Sequence, residues 1–156
     1  MIVSDKDLLH NLVKELRKNN LKIVFTNGCF DILHKGHVKY LSEAKKFGDI
    51  LIVGINSDSS IKKIKGNKRP IIPLESRIEV LNAIKSVNFV IPFEEETPIN
   101  IISLIKPDVH VKGGDYTVEN LPESKIILEY GGNIKIINLV DGYSTTNIVS
   151  SILKGV

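Results

Sequence analysis

Two histidines stand three residues apart, as His34-Lys35-Gly36-His37, directly after an apolar stretch in "FTNGCFDILHKGHVKYL" (residues 25–41). Imidazoles at that spacing, flanking a helix start, can point into one pocket and donate hydrogen bonds to phosphate oxygens. Gly36 lets the backbone come close to a ligand, and the free N–H groups and dipole of a helix beginning there favour an anion. Zinc is the rival use. It requires a third or fourth ligand, for which Cys29 and Asp31 are candidates. The plainest alternative is a polar loop that happens to carry histidine. The glycine and the helix start weigh toward the anion. Cys29 itself reads as a small buried residue, and nothing around it supports acyl transfer.

Three other stretches bear on that choice. "IKKIKGNKR" (61–69) gathers Lys62, Lys63, Lys65, Lys68 and Arg69 around Gly66 and reads as a mobile, cationic loop able to cover a polyphosphate. "YSTTN" (143–147) places Ser144, Thr145 and Thr146 at a helix start, more hydroxyls than an N-cap uses. "KGGDY" (112–116) sets Gly113 and Gly114 beside Asp115, which could approach a base, a ribose or a metal-bound phosphate. Asp31 could orient a ligand or satisfy backbone N–H groups of its own turn. Neither G-x-x-x-x-G-K-[ST] nor G-x-G-x-x-G occurs, so the P-loop and the dinucleotide-binding fingerprint are both excluded.

The elements that must position these residues alternate. "SDKDLLHNLVKELRK" (4–18) carries Leu8, Leu9, Leu12, Val13 and Leu16 on one helical face, with acids early and bases late. "LKIVFT" and "ILIVGINS" are continuous apolar runs of the buried-strand kind, with the helix "GHVKYLSEAKKFG" between them, closed by Gly48 as a C-cap. Helix 74–85, strand 88–93, helix 97–106, strand 108–114, a helix around 122–130, strand 133–140 and a last helix near 144–154 complete the cycle. Strands apolar on both faces and separated by helices predict an α/β fold: one Rossmann-like domain over 1–156, with a five-stranded parallel sheet and helices on both faces. The loops after the strands then share one edge, where open α/β sheets bind ligands.

Composition narrows the class. Of 156 residues, 42% are hydrophobic and 25% charged, which disfavours disorder. No apolar run is long enough to span a bilayer, so no membrane association is expected, and the charged first 20 residues do not read as a secretory leader. A single cysteine excludes an internal disulfide and suits the cytoplasm. A net charge of +3 is too small to argue for nucleic acid.

"TNGCFDILHKGH" together with "GYSTTN" resembles the cytidylyltransferase-like nucleotidyltransferases, whose signatures are H-x-G-H after the first strand and a hydroxyl cluster opening the last helix. Within them, "INSDSSIKKIKGNKRPIIPLESRIEVL", "FEEETP" and "PDVHVKGGDY" are similar to the D-glycero-D-manno-heptose 1-phosphate adenylyltransferases, in order and over nearly the whole chain from about residue 20. The resemblance implies adenylyl transfer from ATP, aided by Mg²⁺, to the sugar phosphate, giving ADP-heptose and pyrophosphate for lipopolysaccharide or another glycan. It implies catalytic roles for His34, His37, Lys63 and Lys65. Thr26, Asn27, Gly28, Phe30, Gly36, Arg77, Gly113, Asp115, Ser144, Thr145 and Thr146 would contact the nucleotide, and Asp31 would lie at the substrate phosphate, with no resident metal ligand. It also implies a homodimer, and a sugar kinase on a separate chain. Glycerol-phosphate cytidylyltransferases carry an arginine before the hydroxyl cluster, where "LVDG" stands here. A cytidylyltransferase acting on glycerol 3-phosphate or another small phosphate is therefore the lesser alternative, alongside a non-catalytic nucleotide-binding regulator.

Overall fold

A computed structural model describes residues 1–114, 116–138 and 144–155. In chain order the elements are α1 (Lys6–Lys18), β1 (Ile23–Gly28), α2 (Lys35–Lys45), β2 (Ile50–Asn56), α3 (Asp58–Lys65), α4 (Leu74–Asn82), β3 (Phe89–Phe93), α5 (Ile99–Ile105), β4 (Val109–Gly113), α6 (Ser124–Glu129), β5 (Asn133–Ile137) and α7 (Thr145–Leu153). The five strands pair in parallel in the order β3-β2-β1-β4-β5. The α/β class and the five-stranded parallel sheet expected from the alternation are both present.

Two cores flank the sheet because its strands send alternate side chains to opposite faces. Val24 of β1 and Leu51, Val53 and Ile55 of β2 pack with Tyr40, Leu41 and Ala44 of α2 and with Ile78 and Leu81 of α4. Ile23, Phe25 and Ile52 pack on the other side with Leu9 and Leu16 of α1, Ile101, Ile102 and Ile105 of α5, and Ile127 of α6. Burial on both faces is why these strands read as unbroken apolar runs. Chain order reverses at β1: the chain proceeds from β1 to β2 and β3 on one side, then returns to β4 on the other. The crevice outside the carboxyl ends of β1 and β4 is thus the switch point where such sheets bind ligands.

Two local expectations change. The lysine-rich stretch read as a loop is helical as far as Lys65. Ser57 Oγ caps α3 by accepting from Ser60 N at 3.1 Å, Ile61 is buried beneath it, and Gly66 ends it at a φ of 88°. Gly48 does not cap α2, whose C-cap is Lys46. Glycine is needed at 48 because a Cβ there would meet the backbone oxygen of Lys22 at 2.7 Å and Val24 Cγ2 at 2.8 Å, where the chain enters β2. Among the described residues, no helix is long and apolar enough to cross a membrane.

Gly48→Ala should therefore lower stability by about 1–3 kcal/mol through overpacking against backbone that cannot move aside. Chemical denaturation would measure it; an unchanged midpoint would show that the α2–β2 corner yields freely.

Candidate active site

A cavity of about 480 Å³ opens at the carboxyl ends of β1 and β4. Its floor is the β1–α2 turn. His34 is the N-cap of α2, and its Nδ1 accepts from Gly36 N at 3.1 Å. His37 sits one turn on, and its Nδ1 lies 3.3 Å from His34 N, which donates to it. The two rings face each other with centroids 3.9 Å apart. Because both Nδ1 atoms accept from backbone, each neutral imidazole carries its proton on Nε2 and is a donor there.

Electrostatics hold the pair neutral. Burial, then the neighbouring His34 and Lys65, lower His37 to about 4. Burial also lowers His34. Phe30, at a left-handed φ of 46°, turns its buried ring against His37 with centroids 5.5 Å apart. Gly28 makes room for that ring, since a Cβ there would stand 3.1 Å from Phe30 Cε2.

The other walls bring together most of the residues singled out from sequence. Asn27, Gly28, Phe30, Asp31, Gly36, Gly113 and Lys65 line the cavity with the histidines, as do Ser144, Thr145 and Thr146. The hydroxyl cluster divides its work. Ser144 Oγ caps α7 by accepting from Asn147 N at 3.0 Å, Thr145 Oγ1 lies 3.4 Å from the Ile32 carbonyl, and Thr146 is exposed at the rim. Asp115 lies outside the described residues.

Three expectations change place. Lys63 lines a separate cavity, beside Glu94, Glu95 and Asn100, because residues on a helix advance by about 100° and only Lys65 faces the histidines. Thr26 is fully buried, hydrogen-bonded at 2.7 Å to Tyr40, whose hydroxyl in turn donates to the Val111 carbonyl. Arg77 is 1% exposed and lies beneath the cavity. Its guanidinium donates to the carbonyls of Ile72, Cys29 and Asn56 and to Asp58 Oδ1, at 2.6–2.9 Å. It joins the β1–α2 turn, the end of β2, the start of α3 and the chain leading into α4. Asp31 lines the cavity with Oδ1 hydrogen-bonded and Oδ2 ion-paired but without a hydrogen bond. Oδ1 accepts from Ile71 N and Ile72 N, and Oδ2 is 2.8 Å from Arg69 Nε. What Asp31 offers the cavity is a fixed Arg69.

Two lining cations were not singled out from sequence. Arg69 was read only as part of a charged loop. Lys112 is next to last in β4 and opens the "KGGDY" stretch, where it was given no role, and its Nζ lies 3.0 Å from Asn27 Oδ1 and 3.2 Å from Glu123 Oε1. The available signal was "DVHVKGG": a histidine and a lysine share one face of an otherwise apolar buried strand, which calls for a polar partner. Among the described residues, no group of three or more His, Cys, Asp and Glu could hold a metal, so the zinc alternative finds no ligand set there. The arrangement is a basin of N–H donors and cations over a helix N-terminus, suited to several phosphates at once.

Residues 25–153 match the family described as cytidylyltransferase-like. The bifunctional protein HldE of Geobacter sulfurreducens is 46% identical over 152 residues, 97% of this chain and 31% of that protein. Its counterpart in a Marinomonas species is 51% identical over 148 residues, 95% and 31% respectively. The chain thus spans about a third of the length of these curated relatives. A solved lipopolysaccharide core biosynthesis protein from Thermoplasma volcanium superposes with a TM-score of 0.63 at 31% identity, covering 80% of this chain and 99% of that one. A pantoate-beta-alanine ligase from Francisella tularensis, at 15% identity and a TM-score of 0.58 over 96% of this chain and 75% of that one, shares the fold.

Arg77→Met keeps the volume and strips four acceptors of their donor, so it should cost about 3–5 kcal/mol, measured by denaturant unfolding. A loss below about 1 kcal/mol would show that water replaces the guanidinium at little cost. Acid should act in two steps. Since the folded His37 value of about 4 lies below the ordinary 6.5, the unfolded chain binds the extra proton and stability falls as pH drops through that window. Glu123, for which burial opposes ionisation but the His110 hydrogen bond and Lys112 outweigh it, is held at about 2, so its contribution is lost from 4.5 downward. Melting temperatures across pH 2–8 would read both; stability flat through the upper window would contradict the neutral, desolvated His37.

Proposed function

The chain belongs to the cytidylyltransferase-like family, and from that membership we propose that it transfers an adenylyl group from ATP to D-glycero-D-manno-heptose 1-phosphate, releasing ADP-heptose and pyrophosphate. The observation that carries this reading is the His34–His37 pair, locked as two Nε2–H donors at the N-terminus of α2. The heptose reading rests on the segments shared with that branch, on relatives named HldE and on a neighbour named for lipopolysaccharide core biosynthesis.

In the proposed reaction a phosphate oxygen of the sugar attacks the α-phosphorus in line, a new P–O bond forms, and the bond to pyrophosphate breaks. No enzyme nucleophile takes part. The protein aligns two anions and stabilises charge on the five-coordinate phosphorus. His34 and His37 donate to phosphoryl oxygens through Nε2–H, and neutrality spares them a proton that would have to be expelled. Lys65 and Arg69 offset the charge of the pyrophosphate, and the start of α7, with Thr146 at the rim, receives the distal phosphates. Asn27, Gly28 and Gly113 border the nucleotide, and Phe30 and Gly36 shape the turn that holds it. Mg²⁺ neutralises and orients the triphosphate when bound. Among the described residues Asp31 and Glu96 are the carboxylates lining the cavity, and with Asp31 ion-paired to Arg69, Glu96 would be the one to meet such an ion. A cytoplasmic setting, a homodimer, and an acceptor supplied by a sugar kinase belong to the same reading.

Pyrophosphate release should be fastest with ATP and heptose 1-phosphate among the four pairings of ATP or CTP with heptose 1-phosphate or glycerol 3-phosphate. Release only with CTP and glycerol 3-phosphate would replace this assignment with the cytidylyl one, and ATP binding without release in any pairing would favour a regulator. His37→Ala should still fold, losing about 1 kcal/mol with its cap acceptor, and lose about 10²-fold or more in kcat, the scale of one lost oxyanion donor; near-normal turnover would remove the histidine from the chemistry.

A further inference from the structure

Beside the histidines runs a polar chain that enters the cavity from the hydrophobic core. His110 is fully buried in β4, stacked on Phe25 with centroids 5.7 Å apart. Its Nε2 lies 3.0 Å from Oε1 of Glu123, which is 1% exposed. The same oxygen accepts from Lys112 Nζ at 3.2 Å, and Nζ reaches Asn27 Oδ1 at 3.0 Å. Buried charges are costly unless paired, and here the pair ends on a residue that lines the cavity.

We propose that Glu123 and Lys112 are positioning residues that fix the side-chain amide of Asn27, so that its NH₂ group donates to a phosphoryl oxygen of the bound reactant. An ammonium has no acceptor, so the Asn27 atom facing Lys112 must be the carbonyl oxygen. The amide is planar, which sends Nδ2 the opposite way. Asn27 lines the cavity, and no described residue accepts from its Nδ2. Lys112 is kept in place by a carboxylate that cannot leave: Glu123 is buried, and His110 holds it from behind. Tyr116 closes the outer side, its ring centroid 5.5 Å from Nζ. With its charge already answered by Glu123, Lys112 acts through Asn27 and is not a phosphate ligand in its own right.

This inference rests on the phosphate-binding reading of the cavity and adds to it a chain of command that His34 and His37 do not supply. The test is a double-mutant cycle with ATP and heptose 1-phosphate, each titrated alone by calorimetry. Asn27→Ala should weaken whichever reactant its amide serves by roughly 10- to 100-fold, the worth of a hydrogen bond to a charged group. Lys112→Met should weaken the same reactant by a comparable factor, and the two together should cost no more than either alone. Because Lys112→Met strands the buried Glu123, the charge-neutral pair Lys112→Met with Glu123→Gln repeats the measurement with the fold checked by its melting curve. In wild type, the Asn27 side-chain ¹⁵NH₂ resonances should shift when that reactant binds, and in the neutral pair they should not, a change that loss of packing alone would not produce. Additive losses, an unaltered affinity in the Lys112 variants, or an unchanged Asn27 amide signal would overturn the proposal while leaving the cavity's assignment intact. Failure of wild type to bind either reactant would overturn the assignment and the proposal together.

Discussion

A single buried guanidinium holds the site in register. Arg77 sits in α4, far from Cys29 in sequence, yet it takes the carbonyls of Cys29, Asn56 and Ile72 and the carboxylate of Asp58. Those four acceptors come from the turn after β1, the last residue of β2, the approach to α4 and the first turn of α3. Strand ends in a parallel sheet leave carbonyls with no ladder partner, and in a buried place each needs a donor. A planar group with five donors can answer several at once, which a lysine cannot. Asp31 makes the complementary junction from the acceptor side, binding two backbone N–H groups and Arg69. Between them, an arginine and an aspartate set the distance from the paired histidines to α3 and Lys65.

On that platform the histidines serve the backbone and the cavity at the same time. Capping α2 through Nδ1 satisfies N–H groups that a helix start leaves open, and it thereby decides the tautomer. The same bonds and the same burial that keep His37 neutral make its outward nitrogen a donor across the physiological range. Structural and functional demands are met by one arrangement, and the helix dipole adds to both.

Much of this was legible in the amino-acid sequence because the signals were local. Alternating apolar runs pointed to the parallel sheet, and the type and spacing of His34, Gly36 and His37 singled out the turn that lines the cavity. What was not legible depended on contacts between distant residues. The backbone partners of Arg77 and Asp31 could not be read, since a charge that serves the backbone and one that serves a ligand are spelled alike. Helix α3 was hidden by its lysines, although Ser57 and Gly66 mark its ends; Ile61 supplies the buried anchor that a solvated loop would lack. Lys63 and Lys65 read as equivalents, and only the helical turn separates them. Lys112 was masked by its strand, and its partners are Asn27 of β1 and Glu123, the N-cap of α6, which meet only in the folded chain.

The central claim is that two neutral imidazoles, each protonated at Nε2, meet phosphoryl oxygens over the start of α2. Long-range ¹H–¹⁵N correlation spectra of the histidine rings at pH 7, recorded with and without the nonhydrolysable α,β-methylene analogue of ATP, test it most directly. Both His34 and His37 are expected as Nε2–H tautomers in the free protein, with their Nε2 resonances moving on addition of the analogue while Nδ1 remains a hydrogen-bond acceptor. Doubly protonated rings in the free protein, Nδ1–H tautomers, or Nε2 resonances indifferent to the nucleotide would contradict it.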